Sequence, residues 1–306
     1  MYHYFGYGLE IRSALRLPGF VPSEPTANPD IEVRSAPVEH ERWAELNDDG
    51  LKLTGIADGV MRFHVMHGET ITVELLPDAD EDYARAIISG ELIAALLRQR
   101  GLLTLHGSCV ARDGHAIGFI GNSGWGKSTL AMHFVAQGYR LLCDDVLAVS
   151  FDERSPSAVP GYPQVKLRPD SGARYAADGF ETRPSAHSET DKRLVVCADD
   201  FQEEPVPLRK LYLLEPRNRP VSGVEAMPFP NVFAELMGHT RATKLIKNEA
   251  FTQAHFQQIT QLLETVPVER LHRRMDLNAL SEVYELIKED LQSLSSTETP
   301  PHRVLS

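Results

Sequence analysis

Alternation of apolar and polar residues over the first hundred positions predicts several strands followed by one helix. The segment Met61–Leu76 alternates on both sides of His67-Gly68, which is the pattern of a β-hairpin with a tight turn. A further short strand is predicted at Ile31–Arg34. From Asp82 to Arg100 the apolar residues recur at the spacing of one helix face, and acidic residues stand at its start. We therefore expect residues 1–100 to form an α+β region that could bind a substrate or serve as an oligomer surface.

After residue 100 the pattern alternates between strands and helices. Two strand-like runs, Leu102–Arg112 and His115–Ile120, are separated by Asp113-Gly114, a dipeptide typical of a type I′ hairpin turn. Further strands are predicted at Tyr139–Cys143, Val146–Ser150, Leu194–Val196 and Lys210–Glu215. Helices are predicted at Lys127–Gln137, 231–238, 251–265 and 278–291, and a disordered tail at 293–306. This order of elements predicts an α/β fold with a mixed sheet over residues 101–292.

Composition and charge narrow the class of protein. The chain has 306 residues, of which 42% are hydrophobic, a length that suggests about two domains. It has neither an apolar run of roughly 18 residues nor a basic and apolar leader, and its three cysteines are scattered. We therefore expect a cytoplasmic protein that does not bind membranes. The net charge of −12 also argues against a nucleic-acid partner. A homo-oligomer is left open.

The strongest functional signal is a glycine loop that fits the phosphate-binding pattern G-x-x-x-x-G-K-[ST]. Its residues are Gly121, Asn122, Ser123, Gly124, Trp125, Gly126, Lys127 and Ser128, followed by Thr129. A predicted strand leads into the loop and a predicted helix leads out, so backbone N–H groups at the helix start can surround phosphate oxygens. We predict that this loop binds ATP or another nucleoside triphosphate, with an exposed Lys127 on the β- and γ-phosphates and Ser128 on Mg²⁺.

Two acidic residues and one histidine are predicted to lie beside the loop. Asp144 and Asp145 end the apolar run that follows the loop helix, where carboxylates can hold Mg²⁺ or accept a proton from an attacking hydroxyl. Which of the two is the base is left open, and Asp144 is the candidate metal ligand. His106 lies on the strand before the one that enters the loop, within reach of the γ-phosphate.

The stretches LHGSCVARDGHAIGFIGNSGWGKSTLA and GYRLLCDD resemble the catalytic domain of HPr kinase/phosphorylase and its stand-alone HPr kinase-like relatives. The resemblance matches that family's histidine to His106, its phosphate loop to 121–128 and its paired aspartates to Asp144 and Asp145. It implies a P-loop kinase core of the type shared in outline with ATP-dependent phosphoenolpyruvate carboxykinase. Where the HPr enzymes carry Glu-x-Arg, this chain has Lys166-Leu-Arg168 and so lacks one metal ligand of the family.

The motifs and the resemblance together predict a kinase. The stand-alone relatives include enzymes that phosphorylate a serine in lasso-peptide precursors, so the expected acceptor is a serine-type hydroxyl of a peptide or protein. Arg168, Lys192 and Arg193 are candidates for binding the substrate's negative charge. A kinase of a small hydroxylated metabolite and a nucleotide-dependent switch ATPase are the alternatives. The proline-rich segment Phe151–Gln164 is predicted to be a loop, long enough to act as a wall or lid.

Overall fold

The computed structural model describes residues 1–38, 51–152, 155–184, 191–216, 222–243 and 249–295. The predicted tail lies outside these residues from 296 onward. Its first three residues, 293–295, belong instead to the last helix, which runs over Leu280–Ser295. That helix is amphipathic and packs Leu291 and Leu294 against the same apolar core as Val283 and Ile287, so burial continues beyond the predicted end.

The N-terminal region is built on an alternation of buried and exposed residues. Its strands are β1 (Tyr2–Gly6), β2 (Leu9–Ser13), β3 (Val21–Pro22), β4 (Ile31–Ser35), β5 (Lys52–Ala57), β6 (Met61–Met66) and β7 (Thr70–Leu75). In the described residues they form a seven-stranded sheet with the order β3-β1-β2-β4-β7-β6-β5. The hairpin predicted at Met61–Leu76 is confirmed, and His67 and Gly68 turn it with φ angles of +55° and +68°.

The helix predicted over Asp82–Arg100 is present, but it is not a regular α-helix. It consists of α1 (Glu81–Ile87), a π-helical turn (Ile88–Leu92) and α2 (Ile93–Gln99). Asp80 caps its N-terminus by accepting hydrogen bonds from the backbone of Asp82 and Tyr83. The π-helical turn contains Gly90, and this backbone passes close to Asp145 of the other region. Periodicity does not predict the widened turn, because a single π-helical turn leaves the hydrophobic pattern of the helix almost unchanged.

The remaining strands form a mixed sheet and a small antiparallel sheet. The mixed sheet contains β8 (Leu103–Leu105), β9 (Gly107–Arg112), β10 (His115–Ile120), β11 (Arg140–Cys143), β12 (Leu147–Phe151), β13 (Pro156–Val159), β17 (Val206–Pro216), β18 (Gly223–Ala226) and β19 (Val268–Arg273). The small sheet contains β14 (Gln164–Leu167), β15 (Thr182–Pro184) and β16 (Arg193–Val196). β10 lies at the centre of the mixed sheet, between the antiparallel β9 and the parallel β17.

Helices cover the mixed sheet on both faces. They are α3 (Lys127–Ala136), α4 (Pro169–Ala177), α5 (Phe229–Gly238), α6 (Glu249–Thr265) and α7 (Leu280–Ser295). One apolar cluster packs α5 and α6 against one face of the sheet, and another packs α3 and α7 against the opposite face. The expected mixed α/β fold is therefore present, and the predicted turn at Asp113-Gly114 has positive φ at both residues, as a type I′ turn requires.

One strand prediction and one loop prediction need correction. The run Leu102–Arg112 is not one strand, because the chain leaves the sheet at His106, whose backbone N–H donates instead to the carbonyl of His239. β8 then pairs with β12, and β9 pairs with β10 and β11. The proline-rich segment Phe151–Gln164 contains β13, which pairs with β12 and β17. That part of the segment is a strand and not the predicted loop. The strand is possible because the prolines stand at its two ends, where a missing backbone N–H interrupts few hydrogen bonds between strands.

A third apolar cluster joins the N-terminal region to the rest of the chain. It contains residues of the N-terminal sheet and of α2 together with Val146, Ala148, Val159, Tyr162 and Ala242. The domain boundary at residue 100 stays a prediction. Residues on both sides of this boundary contribute to the same apolar cluster. Cys109, Cys143 and Cys197 are buried and free, so the cysteines serve as apolar core residues.

The stability of the fold is expected to fall at mildly acidic pH because of His255. This side chain is buried and lies 2.8 Å from the hydroxyl of Thr240, which donates its own hydrogen to the carbonyl of Leu236. Burial lowers the pKa of His255 to about 4, so the unfolded chain binds a proton between pH 6.5 and 4 that the folded chain does not bind. Stability contributed by the neutral imidazole is therefore present above pH 6.5 and is lost as the pH falls toward 4, by at most about 1.4 kcal/mol per pH unit.

We expect His255→Gln to flatten this part of the pH profile, because Gln can keep the hydrogen bond to Thr240 but does not titrate. The measurement is the free energy of unfolding by urea at pH 7.5, 6.5, 5.5 and 4.5 for the parent and the variant. Parallel profiles for the two proteins would contradict the assignment.

Candidate active site

The glycine loop lies between β10 and α3, with its backbone bent around the first turn of the helix. Gly124 and Gly126 both have a φ of +81°, a conformation that side chains other than glycine rarely adopt. A Cβ atom at position 126 would also collide with the guanidinium of Arg273, which donates to the carbonyl of Trp125 at 2.8 Å. The loop therefore needs glycine at 126 for two reasons, and it leaves the first N–H groups of α3 available to an anion.

Lys127 is buried, with 6% of its surface exposed, which corrects the expectation of an exposed lysine. Its ammonium group donates to the carbonyls of Gly121 at 2.8 Å and Asn122 at 3.0 Å. It also lies 3.0 Å from Nε2 of His106. Burial lowers the pKa of Lys127 to about 8, although Asp144 and Asp145 oppose this effect. A phosphate group bound in the loop would restore a strong preference for the charged form.

Asp144 is a buried carboxylate with hydrogen-bond donors on three elements. Its Oδ1 accepts from the hydroxyls of Ser108 at 2.6 Å and Ser128 at 2.8 Å, and its Oδ2 accepts from the backbone N–H of Lys166 at 2.9 Å. The structure thus brings the two predicted metal ligands, Ser128 and Asp144, into direct contact. Ser108 is a partner that the sequence analysis missed, because an isolated serine in a strand carries no signal.

Asp145 has a left-handed backbone, with a φ of +74°. His106 lies with Nδ1 3.1 Å from the backbone carbonyl of Asp145 and 3.3 Å from its Oδ1. Both of these oxygens are acceptors, so Nδ1 carries the hydrogen and Nε2 is left to accept from Lys127. Burial by itself raises the pKa of Asp145, but the hydrogen bond from His106 and the charge of Arg241 hold it well below its usual value. Asp145 is therefore ionised at neutral pH.

Arg241 is the main site residue that sequence reasoning missed. Its guanidinium pairs with Oδ1 of Asp145, lies 3.4 Å from that residue's carbonyl oxygen through Nε, and pairs with Glu91 at 2.5 Å through Nη1. Glu91 belongs to the π-helical turn of the N-terminal region. Because the residues are far apart in the chain and carry no motif, only the fold could bring them together.

The loop, the acids and the N-terminal helix surround one cavity of about 520 Å³. The predicted residues that line it are His106, Ser123, Gly124, Gly126, Lys127, Ser128, Thr129, Asp144, Asp145, Arg168 and Lys192. Lining residues that were not predicted include Glu91, Lys166, Asp170, Ser171, Arg241 and Arg273. This is the size of cavity that holds small organic ligands.

Four predicted site residues do not line this cavity. Gly121 and Asn122 contribute their carbonyls to Lys127, and Trp125 packs its ring toward Gly121 and the apolar core. Arg193 is exposed on β16 and packs its aliphatic part against Gly172 of α4. Arg193 is therefore not brought together with the other candidates, whereas Arg168 reaches the loop beside Gly124.

Comparisons with known proteins found similarity among solved structures. No family model matches the sequence, and no curated protein matches it. Among solved structures, the HPr(Ser) kinase/phosphatase from Coxiella burnetii is similar at a TM-score of 0.32 and 11% sequence identity, over 63% of this chain and 93% of that chain. At this distance the likeness does not decide a function. No helix within the described residues combines the length and the hydrophobicity needed to cross a lipid bilayer.

We expect Arg241→Ala to destabilise the fold, because it leaves the carboxylate of Asp145 without its cationic partner. The loss should be about 1–3 kcal/mol in the free energy of unfolding at pH 7, below the figure for a fully buried pair since both side chains are 20–24% exposed. Glu91→Gln is the matched control. It breaks only the more exposed pair and should cost about 0.2–1 kcal/mol. Urea unfolding measures both, and equal losses for the two variants would contradict the special role of Asp145.

Proposed function

We propose that this protein is a kinase that transfers the γ-phosphate of ATP, with Mg²⁺, to a serine-type hydroxyl of a peptide or protein. The observation that supports this most directly is the position of Asp145. An ionised carboxylate lies in the same cavity as the glycine loop and is joined to Lys127 through His106. A base beside a phosphate-binding loop is what transfer to a hydroxyl requires.

The triphosphate is held by the glycine loop and by cations around it. Backbone N–H groups at the start of α3 bind the phosphate oxygens, and Lys127 exchanges its carbonyl partners for them. Arg168, Lys166 and Lys192 line the same cavity and supply further positive charge. Since several negative charges develop on the transferring group, cations fixed by the fold lower the barrier more than mobile ones.

Ser128 and Asp144 fit Mg²⁺. The fit rests on their oxygen donors, which lie 2.8 Å apart at the helix start, and on the ordinary preference of Mg²⁺ for a few protein oxygens together with phosphates and water. Within the described residues there is no cluster of three or more His, Cys, Asp or Glu side chains suited to a metal. When bound, the ion neutralises charge on the phosphates.

Asp145 then accepts the proton of the acceptor hydroxyl. The hydroxyl oxygen forms a bond to the γ-phosphorus, the bond from that phosphorus to the β–γ bridging oxygen breaks, and the nucleoside diphosphate leaves. His106 contacts both the backbone carbonyl and the carboxylate of Asp145 through Nδ1 and keeps Nε2 toward Lys127. The base and the phosphate-binding lysine are thereby kept at a fixed separation, which favours in-line attack.

The test is an assay with γ-labelled ATP and Mg²⁺, offered together with peptides bearing Ser, Thr or Tyr and with a panel of small alcohols. We expect label on a Ser-bearing peptide, and no label after Ser→Ala in that peptide. Lys127→Ala serves as the loss-of-site control, since it removes the ammonium group from the loop. Label on small alcohols alone would replace the proposal with a metabolite kinase. Release of the label solely as free phosphate, coupled to a conformational change, would replace the kinase proposal with a switch ATPase.

Asp145→Asn should keep nucleotide binding and lose transfer, because an amide neither accepts the proton nor carries the charge. A loss of about 10²-fold or more in turnover is the usual scale for a positioned base. Nucleotide affinity by calorimetry and transfer by the labelled assay are measured on the same preparation. Unchanged transfer would move the role of base to Asp144, and equal loss of binding would make Asp145 mainly a metal ligand.

A further inference from the structure

The two carboxylate oxygens of Asp145 have different surroundings. Oδ1 is taken up by Arg241 and His106. Oδ2 faces the π-helical turn of the N-terminal helix, where an ideal Cβ on Gly90 would lie 3.5 Å from it. An acceptor hydroxyl that gives its proton to this carboxylate therefore meets Oδ2, and it must come along the side of the cavity formed by that turn.

The walls of the cavity differ in chemistry. The side near the glycine loop carries basic residues, Lys127, Lys166, Arg168 and Lys192 among them. Another part of the wall belongs to the N-terminal helix and consists of Tyr83, Ala86, Ile87, Gly90 and Glu91. None of these five is basic, and Glu91 is already paired with Arg241. Charge therefore directs the phosphates to the basic residues, and apart from the paired Glu91 the wall beside the base is uncharged.

We propose that this wall is the acceptor subsite, and that it takes a peptide segment in which the acceptor serine stands next to an apolar side chain. The inference rests on the proposed function and adds to it the acceptor's environment and a specificity residue, Gly90. The serine hydroxymethyl group fills the space in front of Gly90, and the neighbouring apolar side chain packs on Ala86 and Ile87. Arg241 positions Asp145 by holding Oδ1, which keeps Oδ2 turned toward the acceptor.

Gly90 offers a sharp test because its backbone is helical and has no positive φ. An alanine there meets Asp145 Oδ2 at an ordinary contact distance and is favoured over glycine in helices, so Gly90→Ala should fold at least as well as the parent. Its methyl group nevertheless takes up the space in which the hydroxyl must lie. Ser89→Ala is the matched control, since Ser89 is the preceding residue of the same turn and does not line the cavity.

We expect Gly90→Ala to lower the rate of phosphate transfer to a Ser peptide by about tenfold or more, since displacement of the hydroxyl by about 1 Å suffices for such a loss. Nucleotide affinity by calorimetry should stay at the parent's value, and the unfolding midpoint should be equal to the parent's or higher. Ser89→Ala should match the parent in all three measurements. Transfer by Gly90→Ala within twofold of the parent would overturn the inference.

A second pair of measurements tests the wall without relying on Gly90. Ile87→Ala should raise the KM for the peptide several-fold with little change in kcat, and a peptide with Asp in place of the apolar neighbour should show the same pattern with the parent enzyme. Equal KM values for the apolar and the acidic peptide would overturn the subsite. If the parent transfers no phosphate to any Ser peptide, the proposed function fails first, so the two failures are distinguishable.

Discussion

The structure depends on one buried negative charge. The carboxylate of Asp144 is 3% exposed, and a carboxylate in that position is tolerated only when its oxygens are hydrogen-bonded. The donors come from Ser108 on β9, Ser128 on α3 and the backbone at Lys166 on β14. Satisfying this one group therefore fixes α3, β9 and the small sheet relative to one another. The following residue, Asp145, is then carried into the cavity by its left-handed backbone.

The charged residues on the two sides of His106 are also coupled electrostatically across the cavity. Arg241, Asp145, His106 and Lys127 form a continuous series of contacts in which a carboxylate and an imidazole lie between two cations. A change of charge at the lysine, such as the arrival of a phosphate, alters the field at the carboxylate through a single imidazole ring. The neighbours of that ring fix its tautomer. Each hydrogen bond in the series therefore has a fixed direction from donor to acceptor. Glu91 extends it to the N-terminal helix, so that helix is part of the site and not only of the scaffold.

Much of the fold and part of the site could be predicted from local patterns. The hairpin at Met61–Leu76 and the helix after the glycine loop follow from periodicity and turn residues, which act over a few positions. The glycine loop and the aspartate pair are contiguous motifs, and the structure places them around one cavity. Arg241, Glu91 and Ser108 could not be found, because their relevance arises only from tertiary contact. The widened turn at Gly90 and the break at His106 were missed because neither changes the hydrophobic pattern.

The contact between Arg273 and the glycine loop bears on how the chain is synthesised. The loop motif leaves the ribosome early, whereas the guanidinium that packs over Gly126 and binds the carbonyl of Trp125 belongs to a residue made 148 positions later. Domains generally fold as units during translation, so a nascent chain contains the motif long before Arg273 has been added. A chain that ends before β19 would contain every residue of the motif but would lack Arg273, which contacts the loop. The motif alone is therefore a poor guide to which fragments of this protein can be expressed in working form.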